Sequence, residues 1–256
     1  MKIKTYVISL QKAEDRRKHL LKEIADHPFI EVEWVEAVNG RELSQEDTDR
    51  LFDTKRFACR YNRLPYPGEM GCTLSHRECY RKLVESDNDI ALILEDDVLF
   101  LDHANMEHVI DKSVQFLREK GAGVLTLSSH RVSSTKGKPL AASYELYRVW
   151  FAFETNAYLI HRNSAKKLLK DTPASILADD YQYMNMKGIS VYGILPFLST
   201  GLSNDGSFVS RIIEKKQVKV PGKYIQMRYL FSRFIRGGIR RFMVFMNIMS
   251  VKDGKK

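Results

Sequence analysis

The chain has 256 residues, of which 44% are hydrophobic, so it can bury a sizeable core, and a wholly disordered protein is excluded. Its three cysteines are too few, and odd in number, for a disulfide framework. The formal net charge is +9, but residues 211–256 hold 13 of the 41 Lys and Arg residues and 2 of the 32 acids, so the remainder is nearly neutral, unlike a typical nucleic-acid enzyme.

Strands and helices are predicted to alternate along most of the chain. In chain order we expect a strand at residues 2–10, a helix at 13–25, a strand at 32–38, a helix at 70–85, a strand at 90–94, a helix at 106–119, a strand at 124–127, strand-like segments within 144–160, helices at 164–170 and 179–186, and a strand at 190–195. This alternation indicates an α/β fold with a mixed, mostly parallel sheet flanked by helices. In such sheets, ligands bind beyond the carboxyl ends of the strands.

Two segments between these elements are predicted to be loops. Residues 56–68 are rich in proline and glycine, which is typical of a surface loop. Residues 128–143 are polar and long enough to form a mobile functional loop. Before both, Ser44 with Asp47 three residues later is the pattern of a helix N-cap.

Three consecutive acids, Glu95, Asp96 and Asp97, follow the apolar run at residues 90–94. Acids at the end of a buried strand are costly unless their charge is compensated. In extended backbone Glu95 and Asp97 point to the same side, which favours a divalent metal site. A solvated turn is the simpler alternative. A catalytic pair for glycoside hydrolysis is less favoured, because its two acids face each other across the substrate.

The chain contains neither the GxxxxGK[ST] nor the GxGxxG nucleotide-binding pattern. A nucleotide-sugar transferase needs neither, but it does need acids for a metal and a base for the acceptor hydroxyl. Asp179 and Asp180 are the candidate bases, and Tyr181 beside them offers a ring that could stack on a sugar. We prefer Asp180, with helix capping as the alternative role for either aspartate.

Six segments then occur in an order that resembles glycosyltransferase family 25, the bacterial lipooligosaccharide galactosyltransferases related to collagen galactosyltransferases. They are YVISLQKAEDRR (6–17), AVNG (37–40), PGEMGCTLSH (67–76), LILEDDV (92–98), TNAYLI (155–160) and ADD (178–180). The resemblance covers about residues 1–210. It implies a GT-A-like fold, a UDP-sugar donor (usually UDP-galactose), Mn²⁺ or Mg²⁺, and inversion to a β-linkage.

The resemblance also implies roles for individual residues. The metal ligands are Glu95 and Asp97. The residues implied to bind the donor nucleotide are Ser9, Leu10, Arg16, Arg17, Asn39, Gly40, Gly71, Ser75, His76 and Asp96. The residues implied to bind the acceptor or the sugar are Thr155, Asn156, Tyr158 and Tyr181. A third metal ligand, commonly a histidine near the C-terminus, is missing, since no histidine follows His161, and Asp205 is a weak substitute.

The segment PGEMGCTLSH has a second interpretation. Glycines before a helix let backbone N–H groups approach a phosphate, as the family pattern implies for Gly71. Alternatively, Cys72, His76 and Cys79 share one helical face, and Cys59 could complete a zinc site. We prefer buried core thiols, because no C-x₂₋₄-C pair is present and three ligands on one helix spread over ~10 Å.

The C-terminal residues 223–249 mix large apolar and basic side chains. Arg233, Arg236 and Arg240 are predicted to share one helical face, and Gly237-Gly238 to form a hinge between two short helices. A basic amphipathic helix is typical of binding to an anionic membrane surface. We therefore divide the chain into a transferase domain at residues 1–215 and a membrane-associating tail at 216–256.

The leading hypothesis is an inverting, metal-dependent transferase that moves galactose from UDP-galactose to a lipid-linked saccharide acceptor in lipooligosaccharide core biosynthesis. We expect it to be cytoplasmic and peripheral on the inner face of the cytoplasmic membrane. The apolar run at residues 6–10 is shorter than a signal sequence requires, and no run approaches ~20 residues. A nucleic-acid partner is not expected. The alternatives are a non-catalytic binding module and a metal-dependent nucleotidyltransferase or phosphohydrolase.

Overall fold

The computed structural model of the protein describes residues 2–202 and 222–251. The strands are β1 (Ile3–Ser9), β2 (Ile30–Glu36), β3 (Ile90–Glu95), β4 (Val98–Phe100), β5 (Val124–Thr126), β6 (His130–Ser134), β7 (Lys138–Ala141), β8 (Tyr144–Ala152), β9 (Ala157–His161), β10 (Val191–Leu195), β11 (Ser199–Gly201) and β12 (Met249–Val251). The helices are α1 (Glu14–Glu23), α2 (Gln45–Leu51), α3 (Thr54–Tyr61), α4 (Pro67–Glu85), α5 (Met106–Lys120), α6 (Arg162–Leu169), α7 (Tyr181–Met186) and α8 (Lys223–Phe245).

The main sheet has the strand order β12-β6-β8-β10-β5-β9-β3-β1-β2, with β7 beside β8. In its centre β2, β1 and β3 are parallel, as are β5 and β10, and β9 lies antiparallel between β3 and β5. All the central strands except β9 therefore point the same way. This arrangement confirms the predicted α/β fold class with a mixed, mostly parallel central sheet.

Strand β3 lies at the centre of the core, as its continuous apolar run predicts. Residues 90–94 are all at most 5% exposed. Leu92 packs in a cluster with Val109 of α5 on one face of the sheet, and Ile93 packs in a second cluster with Leu83 of α4 on the other. Because both faces are covered, neither face of the strand carries polar residues until β3 ends at Glu95.

The prediction of a surface loop at residues 56–68 is wrong, since this segment contains most of α3 and the start of α4. The Asp53 side chain accepts a hydrogen bond from the Arg56 N–H at 2.9 Å and caps α3. Phe57 is fully buried and holds this helix against the body. Pro67 starts α4, in the first-turn position where a missing N–H costs nothing. The proline therefore marks a helix start instead of a loop.

The prediction of a mobile loop at residues 128–143 is also wrong. The segment forms β6 and β7, which both pair antiparallel with β8. Gly137 lies in the turn between them, where an added Cβ would come within 2.6 Å of the Tyr147 ring. A polar composition is compatible with β7 because that strand pairs with β8 alone in the described sheet and has a solvent edge.

Helix α8 continues through Gly237-Gly238, so the predicted hinge is wrong. A glycine weakens a helix interior by about 1 kcal/mol without breaking it. The helix packs beside α3, and the Arg236 Nη2 donates to the carbonyl of Arg60 at 3.1 Å. Strand β12 then joins β6 at the edge of the main sheet. The predicted boundary at residues 215–216 and Asp205 lie outside the described residues.

Within residues 2–202 and 222–251, no helix combines the length and the apolar character that crossing a membrane requires.

Candidate active site

The carboxyl ends of β1, β2 and β3 meet at one edge of the sheet. Ser9 at the end of β1 is in register with Glu36 of β2, and Ile8 is in register with Glu95 of β3. The residues just before β9 reach the same edge, since the Glu95 N–H donates to the carbonyl of Asn156 at 2.9 Å. The parallel strands thus place side chains from distant parts of the sequence side by side, as such sheets do at their ligand sites.

A cavity of about 370 Å³ opens at this edge, within the size range of small-molecule sites. Its lining includes most of the residues implied to bind the donor nucleotide, namely Ser9, Leu10, Arg16, Asn39, Gly40, Ser75, His76 and Asp96. Arg41 and Cys72 also line the cavity, although no nucleotide-binding role was predicted for either residue. Their positions next to Gly40 and Gly71 could have indicated this, because the two glycines allow the loop after β2 and helix α4 to pack closely together.

Two of the residues implied to bind the nucleotide do not line this cavity. The Arg17 Nε donates to Ser9 Oγ at 3.1 Å, and its guanidinium lies 5.1 Å from the centroid of the Trp34 ring. Gly71 lies inside α4, where an added Cβ would be 2.3 Å from the carbonyl oxygen of Val38. Arg17 therefore orients Ser9, and Gly71 lets α4 pack on the loop after β2. The prediction that the glycine precedes the helix is wrong, since α4 starts earlier, at Pro67.

The premise that Glu95 and Asp97 share one side of an extended strand is wrong. Strand β3 ends at Glu95, and residues 96–97 form the turn into β4. Glu95 and Asp96 line the cavity. The Arg16 Nη1 donates to Asp96 Oδ1 at 2.9 Å and lies 3.5 Å from Asp97 Oδ2. Asp96 and Asp97 are each 6% exposed, so Arg16 compensates two buried negative charges.

Glu95 is oriented by a hydrogen-bonded network. Thr155 Oγ1 donates to Glu95 Oε1 at 2.5 Å, and His76 Nε2 lies 3.3 Å from the same oxygen. Behind it, His76 Nδ1 is 2.8 Å from the Tyr158 hydroxyl, which is 3.0 Å from that of Tyr80. Burial acts to raise the pKa of Glu95, but His76 and Thr155 outweigh it and the pKa is lowered. Glu95 therefore faces the cavity as a carboxylate at neutral pH.

The donor set around Glu95 fits a divalent cation. Ligand atoms of Cys72, His76 and Glu95 lie within 4.8 Å of one another. Carboxylate suits Mn²⁺, imidazole binds several divalent transition metals, and a thiolate favours softer ions. Burial raises the pKa of the Cys72 thiol well above its ordinary value, so it is a poor ligand at neutral pH. The alternative zinc site is not supported by Cys79, which is fully buried in a core cluster.

Asp180 makes the contacts of a structural residue. Two nitrogens of Arg60 donate to its carboxylate, and one of them, Nη2, lies 2.7 Å from Oδ1. The Tyr61 hydroxyl donates to Oδ2. Oδ1 also accepts from the Tyr183 N–H at 2.9 Å and caps α7. Both oxygens are thus engaged by groups of the protein, which disfavours our preference for Asp180 as the base.

Asp179 has the properties expected of a base. Burial, followed by the negative charges of Asp180 and Glu95, raises the pKa of Asp179 to about 6. The backbone N–H of Glu154 donates a hydrogen bond that partly opposes this rise. A carboxylate with a pKa near the working pH is well suited to accept a proton. The engaged oxygens of Asp180 and the raised pKa of Asp179 together favour Asp179 as the base.

The residues implied to bind the acceptor are all buried behind the site. Their exposed fractions are 6% for Thr155, 4% for Asn156, 1% for Tyr158 and 1% for Tyr181. The Tyr181 hydroxyl donates to the carbonyl of Glu154 at 2.8 Å. The expectation that the Tyr181 ring stacks on a sugar is therefore wrong, and these residues support the shape of the site from within the core.

Comparison with known proteins gives the same family as the sequence segments. The family model described as glycosyltransferase family 25 (LPS biosynthesis protein) matches residues 2–183. A glycosyltransferase 25 family member of Aedes aegypti is 29% identical over 187 residues, which are 70% of this chain and 30% of that protein. Procollagen galactosyltransferase 2 of Homo sapiens is 31% identical over 117 residues, 44% of this chain and 18% of that protein. This chain thus spans about 30% of the length of the first relatives it matches.

Solved structures with a similar arrangement are more distant in sequence. A mutant Drosophila β1,4-galactosyltransferase 7 in complex with manganese, UDP-Gal and xylobiose has a TM-score of 0.42 and 10% identity, covering 89% of this chain and 79% of that one. UDP-glucose pyrophosphorylase complexed with UDP-glucose has a TM-score of 0.40 and 10% identity, covering 78% and 92%. The family model covers most of the chain, including β1, the acidic turn and the two aspartates, and the chain belongs to glycosyltransferase family 25.

Proposed function

We propose that the protein transfers galactose from UDP-galactose to a saccharide acceptor, with inversion to a β-linkage, in the biosynthesis of a lipooligosaccharide core. The observation that carries this proposal is the cavity at the sheet edge, which Glu95, Asp96 and Arg16 line, with Asp179 close enough to Glu95 for that charge to raise its pKa. Membership of glycosyltransferase family 25 and the similarity to human procollagen galactosyltransferase 2 support it.

The cavity is suited to the nucleotide half of the donor. Ser9, Asn39 and Ser75 give it polar groups, and Gly40 lets the start of α4 pack against the loop after β2, because an added Cβ would lie 1.7 Å from the carbonyl oxygen of Pro67. A divalent cation such as Mn²⁺, held by Glu95 and His76, would supply positive charge against the leaving diphosphate. Arg16 keeps Asp96 in place, because its guanidinium is hydrogen-bonded to that carboxylate.

Asp179 is the proposed base. It removes the proton from the acceptor hydroxyl while that oxygen forms a bond to C1 of the sugar and the bond from C1 to the diphosphate oxygen breaks. The proton stays on the Asp179 carboxylate, and UDP leaves. A pKa raised to about 6 makes the carboxylate both ionised at neutral pH and basic enough to accept this proton.

Purified protein should release UDP from UDP-galactose when Mn²⁺ and a saccharide acceptor are present. Glu95→Gln should weaken Mn²⁺ binding at least tenfold, because it removes a charged ligand. Electron paramagnetic resonance measures the bound Mn²⁺ independently of turnover. Glu85→Gln is the control, since Glu85 is exposed and pairs with Arg81.

Three outcomes separate the alternatives. UDP binding without UDP release under any condition would support a non-catalytic module. Release of pyrophosphate from UTP and a sugar 1-phosphate would instead support a nucleotidyltransferase. Unchanged Mn²⁺ binding by the Glu95→Gln variant would remove Glu95 from the metal site while leaving sugar transfer open.

We further propose that α8 holds the protein on an anionic membrane surface, on the inner face of the cytoplasmic membrane, where a lipid-linked acceptor is presented. Large apolar side chains form one exposed stripe of the helix, between 61% and 86% exposed, made up of Tyr224, Met227, Phe231, Phe242 and Phe245. Such a stripe on a basic segment is typical of interfacial helices.

Point substitutions test this membrane role better than removal of the tail, because α8 packs beside α3. The double variant Phe231→Ser/Phe245→Ser should lose most of its sedimentation with vesicles of phosphatidylcholine and phosphatidylglycerol. Leu101→Ser is the control, since Leu101 is 53% exposed on the body of the protein. Equal vesicle binding by the double variant and the unaltered protein would contradict the proposal.

A further inference from the structure

A second cavity, of about 730 Å³, lies between α8 and the body of the protein. The described residues that line it include four arginines and no acid: Phe151, Gln182, Tyr229, Leu230, Arg233, Phe234, Arg236, Gly237, Arg240 and Arg241. We call this cavity the arginine groove. Among residues 2–202 and 222–251, none of its four arginines takes part in an ion pair. The groove therefore concentrates positive charge that no described carboxylate balances.

Most of the arginines of the groove lie on the side of α8 opposite the apolar stripe. Arg240 follows Phe231 by nine residues, which is two and a half turns of helix, so the two lie on opposite sides. Arg233 and Arg236 share the side of Arg240, as the sequence predicts. A membrane that takes up the apolar stripe leaves these three arginines on the other side of the helix, whereas Phe234 and Arg241 of the groove lie next to the stripe.

Gln182 and Arg60 connect the groove to the segment that carries the candidate base. Gln182, at its wall, is three residues after Asp179. Arg236 donates to the carbonyl of Arg60, whose guanidinium grips Asp180. Burial and the charge of Arg60 lower the pKa of Arg236, so gathering these cations is costly. An anionic ligand in the groove would offset that cost.

We propose that the arginine groove binds a phosphate group of the acceptor, so that the substrate is a phosphorylated saccharide. Guanidinium groups match phosphate oxygens with paired hydrogen bonds, and Tyr229 and Phe234 can pack on sugar rings next to the phosphate. The assignment of the phosphate to the acceptor rests on the proposed function, whereas the phosphate site itself rests on the groove. The phosphate belongs to the saccharide and not to bilayer lipid, because three of the four arginines lie on the side of α8 opposite the apolar stripe.

Inorganic pyrophosphate is the probe, titrated by calorimetry into the full chain with excess UDP present to occupy the donor cavity. The double variant Arg233→Gln/Arg240→Gln should bind pyrophosphate at least tenfold more weakly than the unaltered protein. Arg228→Gln is the matched control, because Arg228 lies on the same helix, contacts Tyr224 and does not line the groove. Its affinity for pyrophosphate should stay within twofold.

The remaining measurements separate the two proposals and the two sources of phosphate. Pyrophosphate affinity that does not change in the double variant overturns the groove proposal, even if UDP-galactose turnover is intact. Arginine-dependent pyrophosphate binding without UDP release supports the groove and overturns the proposed transferase. Loss of binding to vesicles containing phosphatidylglycerol, with pyrophosphate binding unchanged, assigns the arginines to lipid headgroups and also overturns the groove proposal.

Discussion

Asp179→Asn should lower kcat for galactosyl transfer by about 10²–10⁴-fold, which is the usual contribution of a general base. The amide keeps the size of the side chain but cannot take the proton of the acceptor hydroxyl. The affinity for UDP should stay within about twofold, because Asp179 is not among the residues that line the donor cavity. Single-turnover measurements with UDP-galactose report the chemical step, and calorimetry reports UDP binding.

The raised pKa of Asp179 also predicts the direction in which kcat/KM changes with pH. Burial raises the pKa of Asp179 to about 6, and only the ionised carboxylate can act as a base. In the unaltered protein kcat/KM should therefore fall as the pH drops through about 6, and the residual rate of Asp179→Asn should lack that acid limb. A variant that retained the same acid limb would assign the titration to another group.

The pH dependence of the free energy of unfolding distinguishes a buried base from a residue with a purely structural role. The folded-state pKa of Asp179 is above its unfolded value, so its contribution to stability is complete at low pH and is lost as the pH rises through about 6. Asp179→Asn should thus raise the free energy of unfolding by about 1–3 kcal/mol at pH 7.5 and leave it nearly unchanged at pH 4. Lower stability at both pH values would instead mark Asp179 as a structural residue.

Local sequence patterns predicted the parts of the site that follow strand ends. The apolar run before Glu95 identifies β3, and the fold then places Ser9 and Glu95 at one edge. Such a pattern involves only residues that are close together in the sequence. The N-cap of α2 by Ser44 is another feature of this kind. These features could be predicted because few other local structures satisfy the same run of residues.

Contacts between distant parts of the chain could not be predicted in this way. The choice between Asp179 and Asp180 depends on Arg60, which is 120 residues away from Asp180 in the sequence. Similarly, an aromatic residue beside a candidate base suggests a ring that stacks on a sugar. Only the packing of α7 shows that the Tyr181 ring is buried in the core. Nothing within a few residues of either aspartate distinguishes their roles.

Asp180→Asn should cost about 3–5 kcal/mol of stability, because it removes one partner of a buried ion pair and leaves Arg60 uncompensated. Arg60 and Asp180 are 9% and 8% exposed at their side chains, so water cannot replace the lost contact. Asparagine can still cap α7 in place of Asp180, which confines the loss mainly to the ion pair. Urea denaturation with an unchanged m-value measures the effect.

A double-variant cycle isolates this pair from its surroundings. Arg60→Met combined with Asp180→Asn should recover part of the stability lost in Asp180→Asn, since the uncompensated guanidinium is then gone. Asp47→Asn, at an exposed pair with Arg50, should leave the denaturation midpoint almost unchanged. If Asp180→Asn were as stable as the unaltered protein and yet inactive, the roles of the two aspartates would be exchanged, with Asp180 as the base. Loss of stability with turnover preserved in the folded fraction fixes Asp180 as the residue that holds α3 against α7, leaving the proton transfer to Asp179.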